Sequence, residues 1–530
     1  MRSRLMWLAA VAACVLEPAA NAQELIQETD ASVAVRLFEE WRFDEAERAM
    51  AEVQRTRPGD PDTRFLEGYE RFLAGDFRAA AAKLRLAVQG GADKAAQPIL
   101  TLAEGAAKAT EGYAERRSKH FVVRFPPEDA VLADYGLDAL EASATALHED
   151  LGWEPARLIP VDILRSPADL ALFTSLSVED VERTGTIAVS KWGRIMLTSP
   201  RAMRLGYPWQ ESLSHELVHC AVSSLTREQA PVWLQEGFAK FLDRRWNAPA
   251  GLALTPSLQQ MLARALASNK LITFEAMHPS MAKLPGAEAA SLAFAEVTTA
   301  IATLHARGGM EALRSVMTMV RDGADARVAV ARAYGGSGTW AEFDRAWKAF
   351  MAGQHWKPIP GFEAIAPRFR KRSAIASRRA PSEDEAAEGG AADRYLRLGN
   401  MLLLRNRARA ASLEYEKGLK LAGPTHWLFA VKLGRTQLAL GDTDGALQAV
   451  SQAEALYPEL PWPHLIAGQA LLAKGDAASA IRPLLASLAN NPFDPNVHCS
   501  MAEAYQKAPA QDAPAPRRQR AERDCKALSH

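Results

Sequence analysis

Ser214-His215-Glu216-Leu217-Val218-His219-Cys220, and after it Pro231-Val232-Trp233-Leu234-Gln235-Glu236-Gly237-Phe238-Ala239, are the stretches from which the middle of this chain is read. On a helix, His215 and His219 stand one turn apart on the same face and can offer both imidazoles to one metal ion. Glu216, beside the first histidine, can point toward a metal-held water and take its proton. Chance supplies only about 0.02 such His-Glu-x-x-His patterns in a chain of this composition. Zinc needs a third protein ligand and leaves the fourth position to water. Pro231 suits the first turn of a second helix and sets Glu236 early on it. A helix–loop–helix from Trp209 to Arg244 can therefore fold back and bring that carboxylate to the imidazoles.

Around this pair the pattern is mixed. His120-Phe121-Val122-Val123-Arg124-Phe125 and Ile159 to Leu164 read as strands, and Tyr135 to Leu151 as an amphipathic helix. Thr184 to Leu197 holds two β-rich stretches around Lys191-Trp192-Gly193, a hairpin or edge pair. From Trp209 to Gly353 nearly everything reads as helix, and strands followed by helices are an α+β signature. Cys220 would point about 100° away from His219, which makes it a core residue and not a ligand. Asp243 lies two turns beyond Glu236 on the same face, where it can orient a ligand; the alternative is a surface charge beside Arg244 and Arg245.

Outside the middle, the chain repeats. Pro424, Pro458 and Pro492 are 34 residues apart, and on the same period Gly434 recurs as Gly468, Ala446 as Ala480, and Gly441-Asp442 as Gly475-Asp476. Gly and Ala suit places where two helices press together, Gly-Asp the turn between them, and Pro the link to the next unit. A unit starting near Arg394 is weaker, with Asn400 and Ser412 at the Gly and Ala positions, as in a cap. Toward the N-terminus, Phe43 and Phe77, and Ala46 and Ala80, share the period, and a helix from Asp93 to Tyr113 would cover the open face. Two units are fewer than the three a free-standing array needs, so this one should pack on its neighbour.

The 530 residues carry 63 Lys+Arg and 63 Asp+Glu, and a net charge of zero argues against nucleic acid as a main partner. Arg2 and Arg4, the apolar run Leu5 to Leu16 and Ala20-Asn21-Ala22 make an export signal cut after Ala22. A lipobox-like Val11-Ala12-Ala13-Cys14, acylated at Cys14, is the rival reading. No other uncharged apolar run approaches 18 residues, so a periplasmic or secreted protein without a transmembrane segment is expected. Export leaves Cys220, Cys499 and Cys525, an odd number with no basis for pairing. Pro358 to Asp393, with Arg368, Arg370, Lys371, Arg372, Arg378 and Arg379 ahead of Glu383-Asp384-Glu385, reads as a solvated linker. The expected divisions are a signal at 1–22, N-terminal repeats at 23–114, a middle domain at 118–353, a linker at 354–392, C-terminal repeats at 393–508, and a loose tail at 509–530 with a short helix late in it. An array joined by such a linker should be dispensable for metal binding and small-peptide turnover.

The 34-residue period resembles the tetratricopeptide repeat, a helix–turn–helix unit, which implies arrays that bind a protein or peptide partner. The paired motifs resemble the gluzincin metallopeptidases, whose aminopeptidase-like and thermolysin-like members share His-Glu-x-x-His with a downstream Glu in a Trp-Leu-x-Glu-Gly-x-Ala setting. The resemblance covers Ser118 to Gly353. It implies an α+β zincin-type domain between all-α tetratricopeptide arrays, one zinc per chain on His215, His219 and Glu236, and Glu216 as general base in peptide hydrolysis. The sequence departs from the family twice. Where a Tyr is expected to hydrogen-bond the oxyanion, Leu292-Ala293-Phe294-Ala295-Glu296-Val297 offers Phe294, which has no hydroxyl. Tyr207, His278 and His305 are other candidates for that role, and His305 also reads as an ordinary surface or core residue. Gly185 to Ser190, the strand expected to hold substrate, lacks an acid for a free amine, so an endopeptidase is expected over amino-terminal trimming. The rival reading is a repeat scaffold whose peptidase-like domain binds peptide or zinc and hydrolyses weakly.

Overall fold

The computed structural model describes residues 30–277, 281, 284–365, 367–376, 380–383, 392–509, 511–512 and 514–529. The export signal, Cys14 and His278 lie outside the described residues.

Five helices come first: α1 (Asp30–Glu39), α2 (Phe43–Thr56), α3 (Pro61–Ala74), α4 (Phe77–Gln89) and α5 (Asp93–Ala109). The α3–α4 hairpin turns on a two-residue device. Gly75 takes φ +84°, a left-handed backbone that a Cβ resists, and Asp76 then caps α4 by accepting from the Ala79 N–H at 3.3 Å. Gly441-Asp442 and Gly475-Asp476 repeat the same geometry.

The middle domain carries a five-stranded sheet in the order β1-β2-β3-β5-β4. Its strands are β1 (Ala114–Arg117), β2 (Phe121–Phe125), β3 (Ile159–Leu164), β4 (Ala188–Lys191) and β5 (Arg194–Thr198). β2, β3 and β5 run parallel, and β1 and β4 flank them antiparallel. The β4–β5 hairpin turns at Trp192 and Gly193, both at positive φ, as a two-residue turn matched to strand twist requires. Strand β1, which no sequence pattern singles out, has four exposed residues and so no alternation to mark it.

Helices α6 (Val131–Leu151), α7 (Pro167–Phe173), α8 (Val178–Thr184), α9 (Trp209–Thr226), α10 (Val232–Leu242), α11 (Pro256–Ser268), α12 (Ala287–Arg321), α13 (Ala326–Tyr334) and α14 (Trp340–Gly353) complete the domain. One face of the sheet, with Phe121, Val123, Val161, Ile163, Ile195 and Leu197, joins the core under α6 and α9. α12 is long and apolar enough to cross a bilayer, but 67% of its apolar window is buried inside the protein and its backbone breaks at Gly309.

The opposite face of the sheet belongs to the N-terminal array. Leu164, Val189 and Met196 share a core with Phe72, Phe77 and Leu84. At its centre Asp162 on β3 is fully buried and pairs with Arg194 on β5 at 2.6 Å and Arg124 on β2 at 2.7 Å. Both guanidiniums then reach the C-terminal end of α3, where the helix dipole favours cations. Arg194 donates to the Phe72 and Leu73 carbonyls, and Arg124 to that of Gly75. Burial pushes Arg194 down to about 10, against the pull of Asp162. Both arginines also lie over the Phe77 ring, and Arg157 lies over Phe43, the residue one repeat earlier.

The C-terminal array consists of four hairpins after the short α15 (Arg372–Ala376). They are α16 (Asp393–Leu404) with α17 (Ala408–Ala422), α18 (Trp427–Ala439) with α19 (Thr443–Leu456), α20 (Pro461–Ala473) with α21 (Ala477–Asn490), and α22 (Pro495–Lys507) with α23 (Ala515–Leu528). In each of the first three, a glycine on the first helix meets a large side chain sixteen residues on: Gly399 and Tyr415, Gly434 and Val450, Gly468 and Leu484. Gly68 and Leu84 do so in the N-terminal array. This corrects the first C-terminal unit. Gly399 and the fully buried Ala411, not Asn400 and Ser412, hold the close positions, one residue out of register. Asn400 instead accepts from the Tyr415 hydroxyl at 2.7 Å.

One further expectation is corrected. The described parts of the 354–392 segment are no free linker: Arg370 N–H donates to Ala202 at 2.7 Å, Arg204 N–H to Arg368 at 2.9 Å, and Tyr457 Oη to Glu363 at 3.2 Å. Backbone groups that find partners on both neighbours make it a strap. The helix expected late in the tail is α23, and it is anchored: it completes the last hairpin, Cys525 is disulfide-bonded to Cys499, and Arg520 and Arg523 pair with Asp138 and Asp134 on α6. Among the described residues Cys220 is the free thiol, buried as expected.

The Asp162 network yields a first prediction. Asp162→Ala strands two buried cations, and loss of one partner of a buried pair costs about 3–5 kcal/mol. Urea unfolding should show that loss; a change under about 1 kcal/mol, the value of an exposed pair, would contradict this account.

Candidate active site

α9 runs between the edge strand β4, α6, α10 and α12, so nearly all of it is covered and it lacks a solvent stripe. α10 folds back against it. Gly237 lets α10 press on α12, where a Cβ would come within 3.0 Å of the Val297 carbonyl oxygen and closer still to Ile301. That approach sets Glu236 against the two histidines. His215 Nε2 and His219 Nε2 are 3.1 Å apart, and Glu236 Oε2 lies 3.3 and 3.4 Å from them. All three residues are buried, and Glu236 Oε2 has no hydrogen-bond partner. Two imidazole nitrogens and a partnerless carboxylate oxygen aimed at one point are a set that a bound cation satisfies.

The surroundings hold each group in orientation. His219 Nδ1 lies 3.4 Å from Gln235 Oε1, whose amide donates to Ser223 at 3.2 Å. Gln235 was not singled out in the sequence, although it adjoins Glu236 in the motif. Asp243 Oδ2 lies 4.0 Å from His215 Nδ1, beyond hydrogen-bond reach, and 2.6 Å from Lys240 Nζ. Burial lifts Asp243 to about 6 against the pull of Lys240. Burial opposes charge on Glu236, yet His219 and His215 outweigh it and hold this carboxyl down to about 2. Burial likewise pushes Glu216 up to about 7, while His219 and the hydroxyl and N–H of Ser190 on β4 pull it down. Ser190 is a second residue the sequence reading passed over.

A cavity of about 180 Å³ opens beside His215. Phe294, Tyr207, Asp243 and Lys240 line it with His215, whereas Glu216, His219 and Glu236 do not. Tyr207 is no free donor, because its hydroxyl donates to the Thr198 carbonyl. His305 packs its ring on Phe241 and does not line the cavity. The far wall comes from outside the domain: Ile365 and Pro367 of the strap, and Glu459 and Leu460 of the C-terminal array. The array therefore supplies part of the cavity wall.

Residues 139–353 match the family model described as Peptidase MA superfamily. No curated protein matches the chain. Among solved structures the chain is similar to one in the crystal structure of the APC/C hetero-tetramer Cut9-Hcn1, with 14% identity, a TM-score of 0.23, and coverage of 95% of this chain and 80% of that one. The match begins inside α6 and takes in α9 and α10 with all three converging ligands. From residue 139 to residue 353, the chain is similar to the Peptidase MA superfamily, and this stretch is set between two arrays of helical hairpins.

Proposed function

We propose that the protein is an exported zinc-dependent metallopeptidase of gluzincin type, an endopeptidase whose repeat arrays bind a protein or peptide partner. The observation that carries this reading is the convergence of His215, His219 and the partnerless Glu236 Oε2 on one buried point, with Glu216 beside them. Two imidazoles and a carboxylate are the donor set of catalytic zinc centres that keep one position open. One zinc per chain held there supplies Lewis acidity, polarising a carbonyl and acidifying water by several pKa units. Glu216, buried beside the centre, would accept a proton from the attacking water and pass it to the leaving amine. Ser190 steadies that carboxylate from the edge strand. β4 has no further strand beyond it among the described residues, and an extended peptide can add there by backbone hydrogen bonds. The absence of an acid between Gly185 and Ser190 favours internal cleavage. The Cys499–Cys525 disulfide supports an oxidising compartment, as the export signal does.

One observation favours the scaffold alternative: Phe294 faces the cavity without a hydroxyl, and the Tyr207 hydroxyl is already committed. Turnover separates the readings, since both bind metal. Purified protein is expected to hold about one zinc per chain by elemental analysis, and to cleave a mixed peptide pool. Glu216→Gln should retain the zinc and lose about 10²–10⁴-fold in rate, the usual share of a general base. Wild type that holds zinc and cleaves nothing would leave the scaffold reading standing.

Phe294→Tyr gives an independent check. A hydroxyl added at the cavity wall should raise kcat by about tenfold or more, part of the 10²–10³ that an oxyanion donor supplies, with little change in KM. A lower melting temperature with unchanged kcat would show that this position does not face the reacting carbonyl.

A further inference from the structure

Glu459 stands out in the cavity wall because its charge is unmatched. It lies between α19 and α20, in the C-terminal array, yet it lines the cavity that His215 lines. The residue is half-buried, and its Oε2 is sealed from bulk water without a hydrogen-bond partner. Of the other charged groups that line the cavity, Lys240 is engaged by Asp243 at 2.6 Å and Glu211 by Arg244 at 3.2 Å, and Arg368 also stands in the wall. The basic group that bears on Glu459 is His464, which is already held by Glu454 at 3.0 Å and by the Pro458 carbonyl at 3.1 Å. Burial pushes Glu459 up to about 7, against the weaker pull of its own backbone N–H and of His464. A shielded carboxylate of this kind is costly unless a cation completes it. The remaining wall is mostly apolar, with Leu205, Leu258, Phe294 and Leu460. An acid set in a mostly apolar wall suits a long side chain with a cationic tip, whose methylenes pack on apolar neighbours.

We infer that Glu459 is a specificity-determining residue of this site, lent by the repeat array, which binds an ammonium or guanidinium group of a peptide substrate. The inference rests on the peptidase reading of the centre beside it. The chemistry has three sources on a peptide: a lysine side chain, an arginine side chain, or a free amino terminus.

The test uses the full chain and fluorogenic hexapeptides identical except at one position, which carries lysine, arginine or norleucine. Each is made with a free or an acetylated amino terminus. Wild type should favour a cationic over a neutral peptide by about tenfold or more in kcat/KM, the worth of a charge-assisted hydrogen bond. That ratio should collapse toward one in Glu459→Gln and largely survive in Glu459→Asp. Preference that follows the side chain identifies lysine or arginine; preference lost on acetylation identifies the terminal amine; either supports the inference. A wild-type ratio near one, or a ratio unchanged in Glu459→Gln, overturns it and leaves the peptidase reading intact. If wild type cleaves none of the peptides, that reading fails, and anisotropy of fluorescein-labelled lysine and norleucine peptides decides the inference alone. Tighter lysine-peptide binding that Glu459→Gln abolishes upholds it, and equal binding overturns it. The melting temperature of Glu459→Gln should be unchanged or higher, because the change removes an unpartnered carboxyl.

Discussion

The carboxylate of Asp162 neutralises one guanidinium on each neighbouring strand, and both guanidiniums then donate to the carbonyls that end α3. Without that anion both guanidiniums would remain charged and uncompensated deep in the protein. With it, two helical hairpins, too few to stand alone, share a core with the back of the sheet. The front is then free for α6 and α9. α9 is held against β4, where Ser190 reaches Glu216, and α10 is pressed on α12 through Gly237. The metal-type centre thus depends on an ion network on the opposite face of the sheet from it.

The parts of this architecture that were legible in the sequence are those with a period. A 34-residue repeat of Gly, Ala, Pro and Gly-Asp marks helical hairpins because each residue answers a fixed geometric need, and His215, His219 and Glu236 follow from helical spacing and a proline. What failed was register and attachment. A strict period put Asn400 where Gly399 serves, because one inserted residue shifts the frame without weakening the contact with Tyr415. The 354–392 segment looked like linker because its composition is that of a solvated chain, but its bonds are made by backbone groups, which composition does not record. β1 is short and exposed, and carries no alternation. The Asp162 network and Glu459 join residues far apart in sequence, and no local pattern announces them.

Around the centre, Glu216 Oε1, Glu236 Oε2 and Glu459 Oε2 lack a hydrogen-bond partner, and the basic groups that bear on these carboxyls are histidines. Asp162, Asp129 and Asp150, which are also buried, each pair with an arginine. A buried carboxylate costs stability unless a counter-charge or a ligand completes it.

Gly206 lies against the Asn490 carbonyl so closely that a Cβ would collide with it, and the Tyr207 N–H donates to the same oxygen at 3.1 Å. α23 is tied to α6 at the far end, and Glu459 lines the cavity between. Solenoids ordinarily evolve by duplicating or deleting a unit, since each repeat touches only its neighbours. Here an added unit between Glu459 and Asn490 would carry one of them away from its seat by a full repeat. The number of hairpins is therefore fixed by the domain they embrace. Lineages of this architecture should change by substitution within the repeats and not by a change in their count.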